Sequence, residues 1–102
     1  MEVNAEEFQH RLDEADKPVF ALFLASWCTA CKRSQVTVRE LEKERDDILV
    51  LEINVDRNDS VRDELNILGV PTFILFKDGK EVERRVAAQA KRQLNSMIDE
   101  YV

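Results

Sequence analysis

Glycine and proline are scarce in this 102-residue chain: there are two of each, alongside two cysteines and one histidine. So few glycines leave no glycine-rich loop to cradle a phosphate, and no linker, internal repeat or low-complexity stretch marks a second domain. No cofactor is therefore expected. A closed zinc site needs four ligands, and two cysteines with His10, placed opposite the apolar stripe of the first helix, do not supply them, so no metal is expected either. No apolar run approaches the roughly 20 residues that span a bilayer. The opening Met1-Glu2-Val3-Asn4-Ala5-Glu6-Glu7 lacks both the basic and the apolar parts of a signal peptide, so the chain reads as cytoplasmic, with no membrane partner. A positive balance is missing too: 15 Lys and Arg face 21 Asp and Glu, giving a formal net charge of −6. That charge disfavours generic binding to nucleic acid or anionic lipid, and its scatter along the chain suits a monomer.

What is present is 44% apolar residues in a length suited to one domain with its own core. Asn4 with Glu7 resembles a capping box, and Ala5, Phe8, Leu12 and Ala15 recur at helical spacing, predicting a helix over about residues 5–15. Val19 to Ala25 is apolar on both alternating faces, as a central strand covered on both sides must be. A second helix follows, with Ser34, Val38, Leu41 and Arg45 on one helical stripe and Arg39, Glu40, Glu42, Lys43 and Glu44 mostly solvated. Ile48 to Val55 reads as a buried parallel strand, and Ser60 to Leu68 as a short helix ended by Gly69 in a left-handed conformation. Asp78-Gly79 between Thr72–Phe76 and Glu81–Val86 signals an antiparallel hairpin, and Leu94, Met97, Ile98 and Tyr101 mark a last helix. The expected order is α-β-α-β-α-β-β-α.

The chemistry-bearing motif is Trp27-Cys28-Thr29-Ala30-Cys31-Lys32, where the first strand gives way to the second helix. A cysteine reacts as the thiolate, and the open end of a helix favours negative charge. Two cysteines three positions apart can close on each other, so Cys28 can attack a disulfide and Cys31 can resolve the product. In a reducing compartment a lone close-spaced pair points to catalysis or metal binding rather than a structural disulfide. Lys32 and Arg33 either make this end locally positive or are two solvated helix residues.

With Ala25-Ser26-Trp27-Cys28-Thr29-Ala30-Cys31-Lys32, Asn54-Val55-Asp56, Gly69-Val70-Pro71-Thr72 and Phe76-Lys77-Asp78-Gly79, the chain resembles the thioredoxin family over essentially its whole length. The resemblance implies an α/β thioredoxin fold, a mixed four- to five-stranded sheet between helices on both faces. It also implies Cys28 as nucleophile, Cys31 as resolving thiol, and a cis peptide before Pro71 packed against the pair, with Val70 presenting its backbone to a substrate strand. Trp27 would be a partly exposed aromatic lid. Protein disulfides would be the substrates, and a thioredoxin reductase-type donor the source of electrons.

The chain departs from the family pattern at several positions. Where thioredoxins usually have a buried aspartate six residues before the first cysteine, this chain has Leu22, and where they have a neighbouring lysine it has Glu52. Either Glu52 is a relocated, partly buried carboxylate serving Cys31 as general base, directly or through one water, or it is an exposed strand-end residue. Thr29-Ala30 replaces Gly-Pro, which is expected to change the reduction potential; Thr29 could donate a hydrogen bond to the thiolate. Val36 replaces a helix-kinking proline, predicting a straighter helix. Ala87 replaces a glycine on the substrate surface, adding a methyl group that is expected either to narrow the range of partners or to weaken recognition by a standard thioredoxin reductase. A disulfide reductase is the leading reading; an oxidase or isomerase using the same residues, and a binding module on the same fold, are the alternatives.

Overall fold

The computed structural model describes residues 1–102. Its elements follow the expected order: α1 (Ala5–Glu14), β1 (Val19–Leu24), α2 (Thr29–Glu44), β2 (Leu49–Asn54), α3 (Asp59–Leu65), β3 (Thr72–Lys77), β4 (Lys80–Val86) and α4 (Lys91–Asp99). The four strands form one sheet in the order β2-β1-β3-β4, with β1 parallel to β2 and antiparallel to β3, and β4 antiparallel to β3.

All six residues of β1 are buried, because each face of the sheet carries a helical layer. On one face Phe20, Leu22 and Leu24 join Val50, Phe73 and Leu75 beneath α2 and α4, whose Val38, Leu41, Leu94, Met97 and Ile98 complete that core. On the other, Val19, Ala21 and Phe23 join Leu51, Ile53, Ile74 and Phe76 beneath α1 and α3. Phe8 of α1 meets Phe23 and Phe76 edge-on at centroid distances of 5.8 and 5.7 Å. Such pairs add to the burial of the rings themselves.

Local signals act as their chemistry dictates. Asn4 Oδ1 accepts the Glu7 N–H at 2.8 Å and Glu7 Oε1 accepts the Asn4 N–H at 3.1 Å, closing the capping box of α1. Asp78 and Gly79 both take positive φ, 54° and 78°, as the tight hairpin turn requires. With Val36 exposed in place of a proline, α2 runs unbroken for 16 residues.

Two expectations are corrected. The third helix ends at Leu65, and Asn66 rather than Gly69 adopts the left-handed cap, with φ 53°. Asn tolerates that region, the Ile67 N–H returns to the Arg62 carbonyl at 2.9 Å, and the Arg84 guanidinium donates to the Leu65 and Asn66 carbonyls at 2.8 and 3.2 Å. Leu68 therefore lies beyond the helix and is 95% exposed, while Ile67 takes the buried place. Arg45 is the C-cap of α2 rather than a residue within the helix. Its guanidinium reaches Asp47, Asn95 and Asp99, tying the end of α2 to α4.

The outer edge of β2 is covered by a short parallel bridge. Val3 N–H donates to the Glu52 carbonyl at 2.9 Å and Glu52 N–H to the Met1 carbonyl at 2.8 Å. No helix is long and apolar enough to cross a membrane.

Just after β4, Ala87 has φ 75° and donates its N–H to the Pro71 carbonyl at 2.8 Å. A side chain in that region crowds its own carbonyl, a strain of about 1–2 kcal/mol, partly offset by the greater backbone freedom of an unfolded glycine. Ala87→Gly should therefore raise the unfolding free energy by roughly 0.5–1 kcal/mol in urea denaturation; a loss of stability would contradict the strain.

Candidate active site

Beyond β1 the chain turns sharply, with the Cys28 N–H donating to the Ala25 carbonyl at 3.2 Å, and then enters α2. Cys28 is the N-cap residue, in extended backbone geometry, and its Sγ accepts the Cys31 N–H at 3.1 Å. The sulfur occupies the place a serine or aspartate oxygen takes at an ordinary cap. Negative charge on it faces the positive end of a 16-residue helix. Its partner there is the Cys31 amide, not the Thr29 hydroxyl.

Cys31, one turn into α2, is 1% exposed, and both cysteines are free thiols. Burial, followed by its hydrogen bond with Cys28 and the negative charges of Cys28 and Asp56, pushes its pKa from 9.0 up to about 12. It is a thiol throughout the neutral range, and only its deprotonated form would be nucleophilic.

Around the pair stand an indole and a proline loop. Trp27 is 73% exposed, and its Nε1–H donates to Asp56 Oδ1 at 3.2 Å while the Ser26 N–H donates to Oδ2 at 3.3 Å. Asn54 supports this frame, donating to Ser26 Oγ and accepting the Asp56 N–H, both at 2.9 Å. The Val70–Pro71 peptide is cis, and the Val70 carbonyl lies 3.9 Å from Cys28 Sγ. Ala87 is held beside this loop by its bond to Pro71. Ala30 is half-buried against the core, and Thr29 and Lys32 are exposed at the start of α2.

Glu52 is placed quite differently from an exposed strand-end residue. It is 1% exposed, sits opposite Leu22 in the β1–β2 register, and is the one charged side chain in the interior. Its Oε2 accepts Arg39 Nε–H at 3.0 Å, and its Oε1 accepts from Arg39 NH2 at 3.1 Å and from Gln35 Nε2 at 2.9 Å. No hydrogen bond joins it to Cys31. Gln35 and Arg39, unremarkable or seemingly solvated in the sequence, are thus drawn into the site's surroundings, as is Asp56. Only the i, i+4, i+8 spacing of Cys31, Gln35 and Arg39 on one helical stripe could have pointed to the first two.

A dithiol at a helix N-terminus, one sulfur capping the helix and the other buried behind it, set at the end of a mixed four-stranded sheet, defines a thiol–disulfide oxidoreductase. Comparison with known proteins makes the class specific. The thioredoxin family model matches residues 1–100. The chain is 38% identical over 81 residues to thioredoxin Asp f 28 of Aspergillus fumigatus, covering 79% of this chain and 75% of that protein. It is 35% identical over 98 residues to the thioredoxin of Rickettsia prowazekii, covering 95% and 90%. With the thioredoxin of Chlamydia caviae it shares 34% over 99 residues, covering 97% and 95%. The chain belongs to the thioredoxin family.

The Cys31 pKa makes reduced-state stability depend on alkaline pH. The folded chain holds this proton more tightly than the unfolded chain does, so the stabilisation is complete below pH 9.0 and drains away as pH rises toward about 12. Urea denaturation of the reduced protein at pH 8 and 10.5 should show this fall, and Cys31→Ser should remove the part due to the thiol. Equal losses in both proteins would refute the assignment.

Proposed function

We propose that this protein is a protein-disulfide reductase of the thioredoxin type. Cys28 attacks a substrate disulfide as the thiolate, forming a mixed disulfide and releasing one substrate thiolate. Cys31 then loses its proton and attacks Cys28 Sγ, and the electron pair of the broken bond leaves on the second substrate sulfur. Two protein thiols become one disulfide and one substrate disulfide becomes two thiols; an external dithiol donor, of the kind a thioredoxin reductase provides, restores the starting state.

One observation carries the reading: the Cys28 sulfur accepts the amide of the very residue that must resolve it, so the two thiols are already within reach of each other at the charged end of a helix. The recognition surface is formed by Trp27, Val70, Pro71 and Ala87. The Val70 backbone pairs with an extended substrate segment, and the indole of Trp27 offers an apolar face to it. Lys32 adds positive charge beside the sulfurs, and Thr29-Ala30 sets the potential at which the pair cycles. The Ala87 methyl group narrows the set of partners. A lone dithiol of this kind works in a reducing compartment, and we place the protein in the cytoplasm, acting as a monomer.

The test is trapping with a disulfide-bonded protein substrate. Cys31→Ser should accumulate a stable mixed disulfide through Cys28, Cys28→Ser should form none, and both variants should lose turnover by at least a hundredfold, roughly the least that a positioned proton-transfer or nucleophilic group contributes. Failure of Cys31→Ser to accumulate any adduct would reject the reductase in favour of a non-redox binding role.

A further inference from the structure

Resolution of the mixed disulfide needs an acceptor for the Cys31 proton, and the strand beneath the sulfurs offers none. Leu22, in the same core cluster as both cysteines, is apolar, and the adjacent Glu52 spends both oxygens on Arg39 and Gln35. Asp56 is likewise engaged on both oxygens, by Trp27 and Ser26.

The proton has a way out on the other flank. A cleft of about 240 Å³ opens beside Cys31, walled by Ala25, Ser26, Gln35 and Asn54, with Lys32, Arg57 and Glu2 as its charged groups. A volume of that size with several polar walls holds water readily. Gln35 has a special place in it. Its amide nitrogen is committed to Glu52, and its amide oxygen accepts no hydrogen bond from the protein. An amide has one donor end and one acceptor end, so anchoring the donor end on a buried carboxylate fixes which end remains for the cleft. Arg39 in turn holds Glu52 through both oxygens, which prevents the carboxylate from swinging away.

We propose that Gln35, oriented by the buried Glu52–Arg39 pair, is a positioning residue for the resolving step: its amide oxygen holds the cleft water that takes the Cys31 proton. The Cys31 S–H bond breaks toward that water, the sulfur attacks Cys28 Sγ, the substrate sulfur leaves with the bonding pair, and the proton passes through the cleft to solvent. Glu52 acts through Gln35 and is not itself the base. The charged groups that face Cys31, namely Cys28, Asp56, Lys32, Arg57 and Glu2, are common to all the variants below; Glu52→Gln also removes a carboxylate, so Gln35→Met, which alters no charge, is the variant whose pH profile is compared directly with the wild type.

This proposal rests on the dithiol mechanism above, and the experiment separates the two. Gln35→Met keeps side-chain length and helix propensity while removing the acceptor; Glu52→Gln frees the amide to turn over. Mixed disulfides formed with a small disulfide are followed to release in single turnover across pH 6 to 10, and the first attack by Cys28 is timed separately. Both variants should slow release about tenfold near neutral pH, with the deficit shrinking as hydroxide becomes available, and leave the first attack unchanged. Release at the wild-type rate across the pH range, or equal slowing of both steps, would overturn the positioning role while leaving the dithiol mechanism standing. If neither wild type nor Cys31→Ser forms a mixed disulfide, the mechanism itself fails and the proposal falls with it. Thermal unfolding of each variant identifies any loss that comes from misfolding.

Discussion

The burial of β1 on both faces is the constraint from which the redox end follows. A strand of Val19-Phe20-Ala21-Leu22-Phe23-Leu24 has no side that tolerates water, so helices must cover the sheet above and below it. The chain that leaves such a strand emerges at the rim of both layers, and the next helix has to begin there to return over the sheet. Cys28 falls at that beginning, where the helix leaves its first amides unpaired. Reactivity at the rim is thus a by-product of how a two-sided strand must be packed. The buried thiol behind it sits in the core that makes the strand possible.

Much of this was legible in the sequence because the signals are local. Continuous apolar runs, the Asn4/Glu7 box, the Asp78-Gly79 turn and the Cys-x-x-Cys spacing each depend on neighbours a few residues apart, and each took its expected form. The end of α3 was misread because two residues, Asn66 and Gly69, could both supply a left-handed cap. The choice fell to Arg84, 18 residues further on, which ties down the carbonyls beside the first of them. The surroundings of Cys31 were hidden for a related reason. Arg39 is half-exposed and looks like a solvated helix residue; only the placement of β2 beneath α2 shows that its guanidinium closes over a buried carboxylate.

The electrostatic plan of the interior is accordingly unusual for its family resemblance. With Leu22 beneath the sulfurs, the interior's single formal charge lies one strand away and is neutralised by a cation from the helix above. A buried ion pair of this sort gives little net stability, since desolvation consumes most of the attraction. What it does supply is directional: three hydrogen bonds converge on one carboxylate and tie the helix to the sheet one to two turns along α2 from Cys31.

The two borders of the sheet are managed in different ways. β2 is closed by the backbone of Met1–Val3, and β4 presents a nearly unbroken run of charge, Lys80, Glu81, Glu83, Arg84 and Arg85, broken only by Val82. Neither border invites another chain to continue the sheet. The molecule can therefore be crowded with copies of itself without zipping into ribbons, even though Trp27 and Leu68 each stand exposed at its surface.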